Sequence, residues 1–95
     1  MNPDYDWSQE VGPGWRPFVK EAIDKIIALG GKIAQVKEKF GGLRIYYDGG
    51  DRDQINPIIQ EAEEIAYRTC EYCGQPGKRR GGSWIKTLCD DCEKK

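Results

Sequence analysis

Val36-Lys37-Glu38-Lys39-Phe40-Gly41-Gly42-Leu43-Arg44-Ile45-Tyr46-Tyr47 alternates apolar and polar residues on both sides of a glycine pair. That period belongs to a half-buried strand, and Gly-Gly supplies the two positive-φ positions of a tight hairpin turn. A hairpin over residues 32–48 with its turn at Gly41-Gly42 pairs Phe40 with Leu43, Glu38 with Ile45 and Val36 with Tyr47. It also pairs Lys39 with Arg44 and Lys37 with Tyr46. One face then holds Ala34, Val36, Phe40, Leu43, Ile45 and Tyr47, with Glu38 as the exception. The other holds Gln35, Lys37, Lys39, Arg44, Tyr46 and Asp48. A carboxylate on an apolar face is costly unless paired, so Glu38 should meet Arg68, Arg79 or Arg80, or else lie at the sheet rim.

Helical periodicity flanks the hairpin. Before it, Trp15, Phe18, Val19, Ala22, Ile23, Ile26 and Ile27 form one stripe, opposite Lys20, Glu21, Asp24 and Lys25, and Gly30-Gly31 ends the pattern. After it, Ile55, Ile58, Ile59, Ala62, Ile65 and Ala66 mark a second helix over residues 53–68. Pro57 belongs in the first turn of that helix, with Asp53 or Asn56 as its N-cap. Asp51, Asp53, Glu61, Glu63 and Glu64 read as a solvated acidic face. Residues 1–14 read as an irregular arm, because Gly12-Pro13-Gly14 breaks helix and strand alike. Of the tryptophans, Trp15 belongs to the core, while Trp7 and Trp84 are candidates for an interface.

Cys70-Glu71-Tyr72-Cys73 and Cys89-Asp90-Asp91-Cys92 form a C-x2-C-x15-C-x2-C pattern, a spacing suited to a structural zinc. Zn2+ takes four tetrahedral thiolates, and one tight turn brings both sulfurs of a C-x2-C pair to the metal. Gly74 lets the chain turn sharply beside Cys73. Between the pairs, Lys78-Arg79-Arg80, Gly81-Gly82 and residues 83–88 read as a second hairpin, giving a zinc ribbon or a shortened treble clef. Cys70, Cys73, Cys89 and Cys92 are therefore the expected ligands of one structural Zn2+ per chain. Two disulfides would need an oxidising compartment. Four cysteines close the tetrahedron and leave no position for a catalytic water. Such a site carries a charge of about -2 from four thiolates and one Zn2+, which Arg79, Arg80 and Lys86 stand close enough in sequence to offset.

The predicted architecture is α+β. An arm (residues 1–14) precedes a helix–β-hairpin–helix core (15–69), and a C-terminal zinc-ribbon-like module (70–95) follows. A chain of 95 residues buries roughly 60% of its unfolded surface, and domains this small often add a metal. The absence of histidine excludes a Ser-His-Asp triad, a Cys-His pair and a Cys2His2 finger, and no acid–base or nucleophile–base pair points to an enzyme. No apolar run approaches the ~20 residues of a membrane span. The start, Met1-Asn2-Pro3-Asp4-Tyr5-Asp6, lacks a signal-peptide core, so the cytoplasm is the expected location.

Net charge is -1, which excludes a globally basic nucleic-acid binder. Locally the sign alternates, and the basic segments place Lys37, Lys39 and Arg44 on one hairpin face and Lys78, Arg79 and Arg80 on the second hairpin. With Tyr46 and Trp84 as stacking partners these cations could track phosphates. The simpler reading is a solvated sheet face plus charge balance at the metal.

Gly14-Trp15-Arg16-Pro17-Phe18-Val19, the hairpin from Val36 to Tyr46, Cys70-Glu71-Tyr72-Cys73-Gly74 and Thr87-Leu88-Cys89-Asp90-Asp91-Cys92 together resemble a family of small phage and prophage proteins. The resemblance spans residues 12–92. Small phage zinc proteins of this kind include anti-CRISPR proteins that bind Cas9. The resemblance implies a stoichiometric inhibitor of a bacterial defence effector, Cas9 first, acting in the host bacterial cytoplasm by blocking target-DNA loading. Only the four cysteines carry over as functional positions. The expected partner contacts are Lys37, Lys39, Arg44, Arg79, Arg80 and Trp84. The second reading is a zinc-ribbon accessory protein that binds nucleic acid directly.

Overall fold

The computed structural model describes residues 5–81 and 85–94. A turn of 3-10 helix (Trp7–Glu10) leads into α1 (Arg16–Ala28), β1 (Lys32–Lys39), β2 (Gly42–Asp48) and α2 (Arg52–Tyr67). β3 (Lys78–Arg80), β4 (Lys86–Leu88) and a short α3 (Asp90–Glu93) complete the chain. Both sheets are two-stranded and antiparallel. The α+β order of helix, hairpin, helix and C-terminal hairpin is the one predicted. Among the described residues, no helix is long and apolar enough to cross a membrane.

The stripes of α1 and α2 meet the inner face of the first hairpin. Trp15, Val19, Ile26 and Ile55 are wholly enclosed, with Ile33, Val36, Leu43, Ile45, Ala62 and Ala66 around them. Burial of such side chains contributes ~1.5–3 kcal/mol each before entropy is counted. Ile27, predicted to be part of the stripe, is half exposed because it lies at the stripe's edge. The N-terminal segment is less irregular than expected. Asp6 caps the 3-10 turn by accepting from the Ser8 N–H, Ser8 and Val11 are buried, and Trp7 packs against the core.

The hairpin turn sits one residue earlier than predicted. Lys39 faces Gly42, Glu38 faces Leu43, Lys37 faces Arg44 and Val36 faces Ile45, so the turn residues are Phe40 and Gly41. Both have positive φ, +54° and +76°, which is the I′ form. Phe40 consequently leaves the core face and stands 60% exposed. A bulge between Ile33 and Gln35 also brings Ile33, rather than Ala34, to the inside.

α2 begins earlier than expected as well. Asp51, not Asp53 or Asn56, is the N-cap, accepting the Gln54 N–H at 3.3 Å. Pro57 therefore lies in the second turn rather than the first, opposite the carbonyl of exposed Asp53. A helix-interior proline disfavours the helix by ~3 kcal/mol. Burial of Ile55, Ala62 and Ala66 and the hydrogen bond from Tyr47 Oη to Asn56 Oδ1 (2.7 Å) hold the helix in place.

Candidate metal centre

The first cysteine pair sits on a knuckle clamped to the core from below. The indole N–H of Trp15 donates to the Thr69 carbonyl at 2.8 Å, immediately before Cys70. The Gly14 N–H donates to the Glu71 carbonyl at 2.9 Å. Within the knuckle, Cys70 N–H donates to the Gln75 carbonyl (2.8 Å) and Gly74 N–H to the Cys70 carbonyl (3.0 Å), with Gly74 at φ +84°. Gly12 and Gly14 are the contact surface itself. A Cβ on Gly14 would overlap the Cys70 carbonyl oxygen and lie 2.5 Å from the Gly74 nitrogen. Gly14→Ala should thus destabilise the fold by ~1–3 kcal/mol or more, because two backbones cannot both give way. Urea denaturation checks this.

The second pair reaches the first through β4. Glu71 N–H donates to the Thr87 carbonyl (3.0 Å), laying β4 beside the knuckle. Cys89 then caps α3, its Sγ accepting the Cys92 N–H at 3.3 Å, which turns both sulfurs to the same side. The second pair thus sits at the start of a short helix rather than in a second turn like the first. Cys73 Sγ and Cys89 Sγ are 3.4 Å apart. All four sulfurs lie within 4.8 Å of one another. Sulfurs at ~2.3 Å from one tetrahedral Zn2+ are ~3.8 Å apart, so the cluster fits a single metal ion such as zinc.

The sulfurs do not all ionise unaided. Burial raises Cys70, but backbone N–H groups of Cys89, Cys73 and Tyr72 outweigh it and bring the thiol down to about 6. Cys92, hydrogen-bonded to Cys89 and Cys70, is pushed up to about 12. A cation must displace the remaining protons, so metal affinity should fall as pH falls. Titration from about pH 8 to about pH 5 should release metal while the thiols take up protons, as a chromogenic chelator would read.

The cations near the module have partners inside the chain. Arg80 forms ion pairs with Asp90 and with Glu93 (2.8 Å), and donates to the Leu88 carbonyl (2.8 Å), tying β3 to α3. The Arg80 guanidinium holds the Asp90 carboxyl below its usual range. Lys86 Nζ bridges Glu38 (3.2 Å) and Glu71 (3.1 Å), so Glu38 pairs with Lys86 rather than with an arginine. Glu71 is only 3% exposed, and its second oxygen accepts the Thr87 N–H at 3.2 Å. Burial lowers Lys86, but the carboxylates of Glu71 and Glu38 outweigh it and raise its ammonium above the ordinary lysine value. Its stabilisation is complete below that ordinary value and declines as pH rises through the elevated one. Lys86→Met should cost about 3 kcal/mol at neutral pH, since it leaves a nearly buried carboxylate unpaired. The same urea midpoint measurement reads it.

The expected partner contacts divide into groups. Lys37 and Arg44 are directly opposed, and Lys39 lies on the same outer face. Lys37 Nζ is 5.8 Å from the centre of the Tyr46 ring. Arg79 joins them at the turn, donating to the Phe40 carbonyl (2.7 Å) and lying 5.6 Å over the Tyr67 ring. Arg80 points instead into α3. Trp84 lies outside the described residues. Sequence reasoning missed Glu71, Thr87 and Phe40. Thr87 is wholly buried, and its hydroxyl donates to the Gly41 carbonyl at 2.6 Å. Gly12-Pro13-Gly14 was read only as a break in helix and strand, whereas Gly12 and Gly14 lie against the Cys70–Glu71 backbone.

No family model matches the chain, and neither a curated protein nor a solved structure is similar to it at a level that would show a family or a function.

Proposed function

We propose that this chain is a zinc-stabilised binding protein without catalytic activity, acting by occupying a surface of a bacterial defence effector. The observation that carries the reading is the closed four-sulfur cluster, whose module is fastened to the hairpin. A site with four cysteine ligands offers no open metal position for water, which favours a structural ion. The chain has no histidine, and four carboxylates around the module, Asp90, Glu93, Glu38 and Glu71, are engaged by Arg80 and Lys86. The basic outer face of Lys37, Lys39 and Arg44, extended by Arg79, suits an acidic partner surface.

The partner is chosen by the resemblance to small phage and prophage proteins, not by the geometry. On that ground it is Cas9 with its guide, and the effect is to block target-DNA loading. Size-exclusion chromatography of the zinc-loaded chain with Cas9–guide complex, beside a run with a DNA oligonucleotide, tests the proposal. Co-elution with the Cas9–guide complex alone supports it. Co-elution with DNA alone replaces it by the nucleic-acid reading, in which Tyr46 beside Lys37 would serve as a stacking platform. Elution apart from both overturns the choice of partner.

A further inference from the structure

Phe40 stands where an aromatic residue is least expected. Positive φ is uncommon outside glycine and is an outlier for a bulky side chain. The sequence offers an alternative at once, because a turn at Gly41-Gly42 would relieve the strain. The alternation leaves that choice open, since both registers keep Val36, Glu38, Leu43, Ile45 and Tyr47 on one face and differ only in Phe40 at the turn. The metal module decides between them. Arg79 holds the Phe40 carbonyl at 2.7 Å and Thr87 holds the Gly41 carbonyl at 2.6 Å. Glu38 Oε2 accepts the Gly41 N–H at 2.8 Å. Gly41 also lies against the β4 backbone, where an added Cβ would be 3.2 Å from the Lys86 carbonyl carbon. Three hydrogen bonds thus force a large apolar ring into a strained conformation and leave it 60% exposed. Strain maintained this way points to function rather than stability.

We propose that Phe40 is the anchor of the interaction surface, inserting into an apolar pocket of a protein partner whose rim carries carboxylates. The charge around it selects that rim. Lys39 lies 5.6 Å over the Phe40 ring, Arg79 lies over half-exposed Tyr67, and Lys37 and Arg44 follow on the outer face. The most exposed of the large apolar side chains among the described residues, with Lys39 over its ring and Arg79 on its carbonyl, has the layout of an interface hot spot. A polyanion is the poorer fit, because Glu63 stands one helical turn from Tyr67 and the net charge is -1. This inference rests on the proposed binding function and adds the residue through which it acts.

Phe40→Asn separates anchor from scaffold. Asparagine tolerates positive φ, and Asn-Gly is a favoured pair in such a turn, so the variant should melt at the same or a higher temperature. Its affinity for Cas9–guide complex should fall by about 100-fold or more, as loss of a hot-spot aromatic requires. Unchanged affinity in the variant would overturn the anchor and leave the binding function standing. Absence of binding by the parent chain would overturn the choice of Cas9 as partner and, with it, Phe40 as the anchor of that contact. A lower melting temperature in Phe40→Asn would assign the ring a structural role instead. Phe40-dependent binding of a single-stranded oligonucleotide, without binding to the protein complex, would replace the pocket by a base-stacking site.

Discussion

Chelation of a metal bound at the four sulfurs should unfold the knuckle, β3, β4 and α3 and free the turn of the first hairpin, while the core of α1, β1, β2 and α2 persists in weakened form. That is the largest effect expected. Among its described residues the module has two three-residue strands, a four-residue helix and little apolar burial, so a metal held by the four sulfurs would be its main source of order. Structural zinc in small modules contributes on the order of 10 kcal/mol of apparent folding free energy at neutral pH. Without it, Arg79 and Thr87 no longer hold the carbonyls of Phe40 and Gly41, and Lys86 no longer bridges Glu38 and Glu71. Amide exchange should then accelerate by orders of magnitude in β3 and β4, and clearly but less in the turn. Uniform exchange before and after chelation would show that the module stands without metal.

Trp15→Ala has the next largest expected effect, about 3–5 kcal/mol. Among the described residues Trp15 is the largest wholly buried side chain, and its loss leaves both a cavity and the Thr69 carbonyl without its indole donor. The damage should not stop at the core. Because Thr69 precedes Cys70, the variant should also hold its metal more weakly, which competition with a chelator measures. A stability loss with unchanged metal affinity would show that core and knuckle are independent.

The helix stripes apart from Ile27, the hairpin faces apart from Phe40 and Ala34, and the four cysteines were legible in the sequence, because each repeats a period or a spacing. What escaped depended on contacts between distant segments. The hairpin register is the clearest instance. Moving the turn from Gly41-Gly42 to Phe40-Gly41 changes every cross-strand partner but keeps Val36, Glu38, Leu43, Ile45 and Tyr47 on one face. Alternation therefore carries no information about it, and hydrogen bonds from Arg79 and Thr87, some forty residues away, choose. Glu38 is a second instance, since its lysine partner lies on β4. Asp51 was visible as a charge, but its capping role depends on where Gly49 and Gly50, both at positive φ, deliver the chain.

X-ray absorption at the zinc edge, on protein purified without added metal and with its metal content determined in parallel, bears on the four-sulfur cluster without any partner. One zinc per chain with four sulfur neighbours at ~2.3 Å is the expected result. A metal-free chain with disulfide-bonded cysteines, or a zinc bound through nitrogen or oxygen, would mean that these four sulfurs do not form the site around which the module is built.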